Sequence, residues 1–173
     1  TITATDLQLQ TTDNHTLTNR GTINGSETLL ETQTLNNLGS GKIYGDHIAI
    51  GATTVTNAAE YIDGQTQAPV IAARDRLDIG ASAINNREHA LLFSAGDLHI
   101  GGGLDANKRA TIQATTLHNA SATIEAMGLA DINATTLYNT NEHLTTTTED
   151  LPTQTITEYQ GAGSPNRYTP GTP

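Results

Sequence analysis

Residues 43–57 read IYGDHIAIGATTVTN, and the parity of the apolar and small positions in that stretch changes twice. Ile48, Ile50 and Ala52 alternate with other residues and therefore share one face of an extended strand. Val55 and Asn57 alternate too, but their parity has shifted across Thr53-Thr54. Ile43 and Gly45 form a third short run, shifted again across Asp46-His47. Three short strands joined by two corners describe one turn of a triangular coil. A single coil of this kind cannot bury its inward residues. Stacking on similar coils can, with backbones pairing above and below at about 4.8 Å.

The rest of the chain repeats the pattern. An aliphatic-x-Asn triplet occurs six times, ending at Asn19, Asn37, Asn57, Asn86, Asn119 and Asn139. The steps between these asparagines are 18, 20, 29, 33 and 20 residues. Three are close to twenty, and the other two fit one coil plus an insertion. The triplets begin at Leu17, Leu35, Val55, Ile84, Leu117 and Leu137. Three residues before the last five of these stands a small residue, itself two after an aliphatic: Leu30/Thr32, Ile50/Ala52, Ile79/Ala81, Ile112/Ala114 and Ile132/Ala134. A disordered chain has no reason to keep that offset. The expected inward stack is therefore Leu30, Ile50, Ile79, Ile112 and Ile132 on one side, with Leu35, Val55, Ile84, Leu117 and Leu137 on another. The insertions are expected to fall elsewhere in the coil.

Each triplet Asn shares parity with the aliphatic before it and so faces inward or sits at a corner. An amide there can hydrogen-bond its equivalents one coil above and below, forming a polar ladder that is satisfied only in register. The expected fold is all-β, a right-handed parallel β-helix with triangular coils of about twenty residues. A helical reading fails, because the apolar spacing is two and Thr, Asn and Gly are poor helix interiors. Aromatics are only 3% of the chain, with one Phe and no Trp. A narrow interior of stacked small side chains suits that composition better than a thick core.

Residues 1–144 are expected to form the solenoid and 145–173 an irregular end or linker, with Thr153–Tyr159 as one further strand. Insertions are expected near 58–69, where Asp63-Gly64 offers a hairpin turn, and near 101–110 (GGGLDANKRA). The chain opens mid-pattern at Thr1-Ile2-Thr3, which suggests an excerpt of something longer. A formal net charge of −10 opposes nucleic-acid binding, which needs clustered Lys and Arg, and opposes docking on anionic lipid. No apolar run is long enough for membrane insertion, and the absence of cysteine excludes disulfides and thiolate metal sites.

Candidate chemistry is sparse. His15, His47, His89, His99, His118 and His143 show no metal-binding spacing, and Gly101-Gly102-Gly103 has no phosphate-loop continuation. Some parallel β-helices are polysaccharide lyases or hydrolases with carboxylates clustered on one face. Here Asp6, Asp46, Asp75, Asp78, Asp97 and Asp131 read as spread around the coils, with no pair at stacked positions. No enzyme, catalytic residue, cofactor or metal is expected.

The triplets and their small-residue partners resemble the haemagglutinin repeats of filamentous haemagglutinin and of the CdiA effectors of contact-dependent growth inhibition. Residues 70–119 (VIAARDRLDIGASAINNREHALLFSAGDLHIGGGLDANKRATIQATTLHN) and 121–144 are the most similar. The tail from Glu158-Tyr159-Gln160-Gly161 to Pro165-Asn166-Arg167-Tyr168 is similar to the segment that ends the repeat block in such proteins. The first fifty residues match only the generic repeat. The resemblance implies a long secreted exoprotein exported through an outer-membrane partner by two-partner secretion, and a β-helical stalk at the cell surface. A CdiA-like stalk would present a receptor-binding region and a toxin. A filamentous-haemagglutinin-like adhesin would instead contact a receptor on a host cell.

Overall fold

The computed structural model describes residues 1–12, 14–169 and 171. Pro170, Thr172 and Pro173, which belong to the expected irregular end, lie outside the described residues, as does Asp13. The chain divides into two units, Thr1–His143 and Leu144–Pro173.

The first unit is a parallel β-helix of six coils, and no helix occurs among the described residues. Its coils have three sides. On the first, Ile2, Ile23, Ile43, Ile71, Leu92 and Ile124 stand in one parallel column. On the second, Leu9, Leu30, Ile50, Ile79, Ile100 and Ile132 are stacked. On the third, two columns run together: Leu17, Leu35, Val55, Ile84, Leu117 and Leu137, and two residues on, the six triplet asparagines. The two coils of residues Lys42–Ala58 and Val70–Arg87 are each a single unbroken strand through all three sides. Strand geometry persists around their corners because coils above and below both supply partners.

The core is the set of columns. Leu30, Leu35, Ile50, Val55, Ile79, Ile84 and Leu117 are buried. Because neighbours in a column come from successive coils, each apolar side chain is covered chiefly by its own equivalents, and small aliphatics suffice. In the sixth coil, which has a neighbour on one side only among the described residues, Ile132 is half-buried and Leu137 is 52% exposed.

Ile112 does not belong to the inward stack. It is 66% exposed and adopts φ 49°, a left-handed conformation that a β-branched residue rarely takes. Ile100 fills the position opposite Ile79 and Ile132. Ala114 keeps its place, buried and paired with Ala134. The second insertion therefore lies between the aliphatic and the small residue of its own coil, at the corner between the second and third sides. An aliphatic that ends the inserted loop happens to stand two residues before Ala114, the same offset as in an uninterrupted coil.

Both insertions are antiparallel hairpins. Glu60–Ile62 pairs with Gln65–Gln67, with Asp63 (φ 50°) and Gly64 (φ 80°) in the turn. Gly103–Leu104 pairs with Ala110–Thr111. In the second unit Thr153–Glu158 forms no strand, and Tyr159–Gln160 pairs with Arg167–Tyr168 in a short antiparallel hairpin. Threonine-rich polar sequence without a column to join has nothing to hold it extended against solvent.

Candidate functional site

Two sets of polar side chains in the solenoid invite a functional reading: the inward amide ladder and the outward face of the second side. In the ladder, Nδ2 of Asn19, Asn37, Asn57, Asn86 and Asn119 each donates to Oδ1 of the next asparagine, at 2.8, 2.8, 2.9, 2.8 and 2.8 Å. The other amide proton of each reaches a backbone carbonyl at the following corner: Val70 for Asn37, Leu91 for Asn57, Thr123 for Asn86, Ala122 for Asn119. Asn37, Asn57 and Asn86 have no solvent exposure, so these bonds replace hydration completely. Each is worth about 1 kcal/mol net, and a missing partner costs more than that. The amides are fully occupied within the rod.

The outward face of the second side carries the charge. One column reads Asp6, Glu27, His47, Arg76, Asp97, and the column two residues on ends Asp78, His99, Asp131. This differs from the sequence expectation that the carboxylates are spread with no stacked pair. Asp6 and Asp97 share one column with Glu27, and Asp78 and Asp131 share the other. Unequal steps of 21, 29, 21 and 32 residues along these columns hid the alignment. It becomes legible only by anchoring each coil on its triplet asparagine.

Asp78 is the centre of this face and has no solvent exposure. Nε and Nη2 of Arg76 donate to it at 2.6 and 3.1 Å, and the Ala110 backbone N–H at 2.8 Å. Nε2 of His47 lies 3.0 Å away, and Nη1 of Arg109 donates at 3.4 Å. His47 is in turn 3.0 Å from Glu27 through Nδ1. Burial alone would push the Asp78 carboxyl up, but the hydrogen bonds from His47, Arg76 and Ala110 outweigh it and hold the group well below the ordinary carboxylate range. A carboxylate so fully satisfied cannot act as a general acid or base. It acts as an anchor, because Arg109 and Ala110 belong to the second hairpin.

Glycine makes room for that hairpin. Glu31, Gly51, Gly80 and Gly101 form the next outward column. A Cβ on Gly80 would lie 2.2 Å from the Gly103 carbonyl carbon, and one on Gly51 3.3 Å from Cδ1 of Leu104. The hairpin thus lies flat on coils three and four, and Nζ of Lys108 reaches Glu31 of the second coil at 3.1 Å. Beside it runs an open groove of roughly 660 Å³, lined among others by Thr11, Thr32, Thr53, Gly80 and Leu104. Next to Asp78, the buried Nε2 of His99 has no hydrogen-bond partner among the described residues, while its Nδ1 lies 3.5 Å from Asp131.

A third group sits at a corner. Glu88, His89 and His143 bring one potential metal-ligating atom each within 4.8 Å of one another. Spacing in the sequence gave no hint of it, because two coils separate His89 from His143. No family model, no curated protein and no solved structure matches this chain.

Proposed function

We propose that the chain is a stalk segment of a secreted, CdiA-like contact-dependent growth inhibition effector, whose work is to hold receptor-binding and toxin parts away from the producing cell. The observation that supports this reading is the unbroken column of asparagines through all six coils. Its amides are consumed in holding register, and both insertions lie against the rod by ion pairs: Glu60 with Arg20, Arg109 and Arg76 with Asp78, Lys108 with Glu31. Such construction suits mechanical extension. The sequence resemblance supplies the biological setting, including secretion through an outer-membrane two-partner transporter, a surface location and a receptor on a target bacterium.

The test is a co-culture of a strain expressing the full gene with a related strain lacking its immunity determinant. Inhibition of the target, lost when coils three and four are deleted in frame and regained when two unrelated β-helical coils replace them, supports a presenting role. Full inhibition after the deletion contradicts it. Absence of any inhibition, together with gene-dependent binding to host cells, would favour the filamentous-haemagglutinin type of adhesin.

A further inference from the structure

The corner between the third side of one coil and the first side of the next is a tight turn two residues beyond each ladder asparagine. In the second coil that turn is Gly39-Ser40, with Gly39 at φ 54° and the Gly41 N–H donating to the Leu38 carbonyl at 2.9 Å. In the fourth coil the same place is held by Glu88 and His89, at φ 52° and 63°, with the Ala90 N–H donating to the Arg87 carbonyl at 3.2 Å. Both central residues lie in the left-handed region, where Asn-Gly is the favoured pair. A Glu-His pair there is strained, and strain of this kind concentrates where side chains are held for a purpose.

Both side chains meet His143, which follows the sixth coil. The His89 and His143 rings are stacked, 6.1 Å between centroids and 4° from parallel. Nε2 of His143 lies 2.7 Å from Oε2 of Glu88, and that contact with His143 draws the Glu88 carboxyl below its ordinary range. His143 is held from its own side: its N–H donates to Oδ1 of Asn141 at 2.9 Å, the Glu142 N–H donates to Oγ of Ser121 at 2.8 Å, and Nη2 of Arg87 donates to Glu142 at 2.7 Å. The fifth coil contributes only Ser121-Ala122 at this corner. Those small side chains leave the space through which groups two coils apart, roughly 10 Å in backbone terms, can meet.

We infer that Glu88, His89 and His143 form a site for a divalent transition-metal ion, of the class that takes imidazole and carboxylate together. Two histidines and one carboxylate are a known zinc donor set, with a further position left for water or a partner's group. The three ligating atoms are already within 4.8 Å of one another, so small side-chain rotations bring them to the metal–ligand distances of about 2.0–2.2 Å that zinc requires. The rings are half-exposed, which leaves a path for the ion. Bound there, the metal clamps the exit from the sixth coil to the fourth and so closes the last turns of the rod. The proposal is independent of the stalk reading.

The experiment is calorimetric titration of the 173-residue chain with Zn²⁺ alone, paired with thermal unfolding and with the visible spectrum of the Co²⁺ form. One saturable ion per chain, a raised melting temperature and tetrahedral-type Co²⁺ absorption are expected. His143→Ala and His89→Gly should each weaken Zn²⁺ binding at least tenfold, and Glu88→Gln several-fold. His89→Gly suits the left-handed turn and so keeps the fold, which the far-UV spectrum verifies. No saturable Zn²⁺ binding up to millimolar concentration would overturn the proposal. So would binding undiminished in the His89→Gly/His143→Ala double variant, which would place the ion elsewhere.

Discussion

Asn57 donates from Nδ2 to Oδ1 of Asn86 at 2.9 Å, although 29 residues and a complete hairpin separate them in sequence. The bond is as short as those between coils of 18 or 20 residues. Insertion length is therefore invisible to the ladder, because Glu60–Gln67 leaves the coil at a corner and returns to it. Register is set by the columns, and the ladder penalises any slip by stranding amides in the interior.

Replacing Asn57 with Leu keeps the side-chain volume but removes both links of the ladder at mid-rod. Asn37 then has a donor without its acceptor, and Asn86 an acceptor without its donor. A loss of about 3 kcal/mol is expected in denaturant unfolding. Asn139→Leu removes only the exposed end of the ladder and should cost less than about 1 kcal/mol.

Asp78→Asn should loosen the second hairpin and change the response to acid. The folded-state carboxyl is held below its usual range. Its contribution is therefore complete above the unfolded-state value of about 4 and fades as pH falls from there toward the folded value. The wild type should lose stability steeply below about pH 4, and the variant should lack that part of the slope. At neutral pH the variant should be less stable by about 3 kcal/mol, because Arg76, Arg109 and His47 are left facing a neutral amide. Urea unfolding at a series of pH values measures both.

Gly80→Ala is expected to lift the hairpin without unfolding the rod. The new methyl would meet backbone of Gly103 and Leu104 at 2.2–2.6 Å, which only displacement of the hairpin relieves. Limited proteolysis should then cut near Lys108 and Arg109 far faster than in the wild type. Gly51→Ala meets only the end of the Leu104 side chain, at 3.3 Å, and should leave the cleavage rate nearly unchanged.

The two isoleucines that the spacing placed in one stack should respond in opposite senses. Ile79→Ala opens a cavity between Ile50 and Ile100 and should cost about 2–5 kcal/mol. Ile112→Gly removes an exposed side chain from a left-handed backbone and should stabilise the fold by about 1 kcal/mol. Thermal unfolding of both variants distinguishes the stacks.

What the sequence made legible follows from what repeats. Ile50, Val55 and Asn57 announce themselves because parity and an offset of three recur in every coil, and those intervals contain no insertion except in the fifth. Ile112 misled because an inserted loop happened to end with the right residue at the right distance. The charged face was illegible for a related reason. Asp78, His99 and Asp131 are aligned by the columns beneath them, while their own separations of 21 and 32 residues carry no period. Glu88, His89 and His143 meet across two coils through a corner, where no periodicity applies at all.

The central claim is that the six coils stack in register, one strand spacing apart. Thr18, Asn85 and Tyr138 occupy one outward column, with Asn85 three coils and Tyr138 five coils above Thr18. The chain has no native cysteine, so spin labels can be placed at Thr18→Cys/Asn85→Cys and Thr18→Cys/Tyr138→Cys and the distances read by pulsed electron resonance. Narrow distributions near 14 and 24 Å, a difference of about 10 Å for two added coils, are predicted. Broad distributions, or distances that do not increase between the two pairs, would contradict the stacked rod.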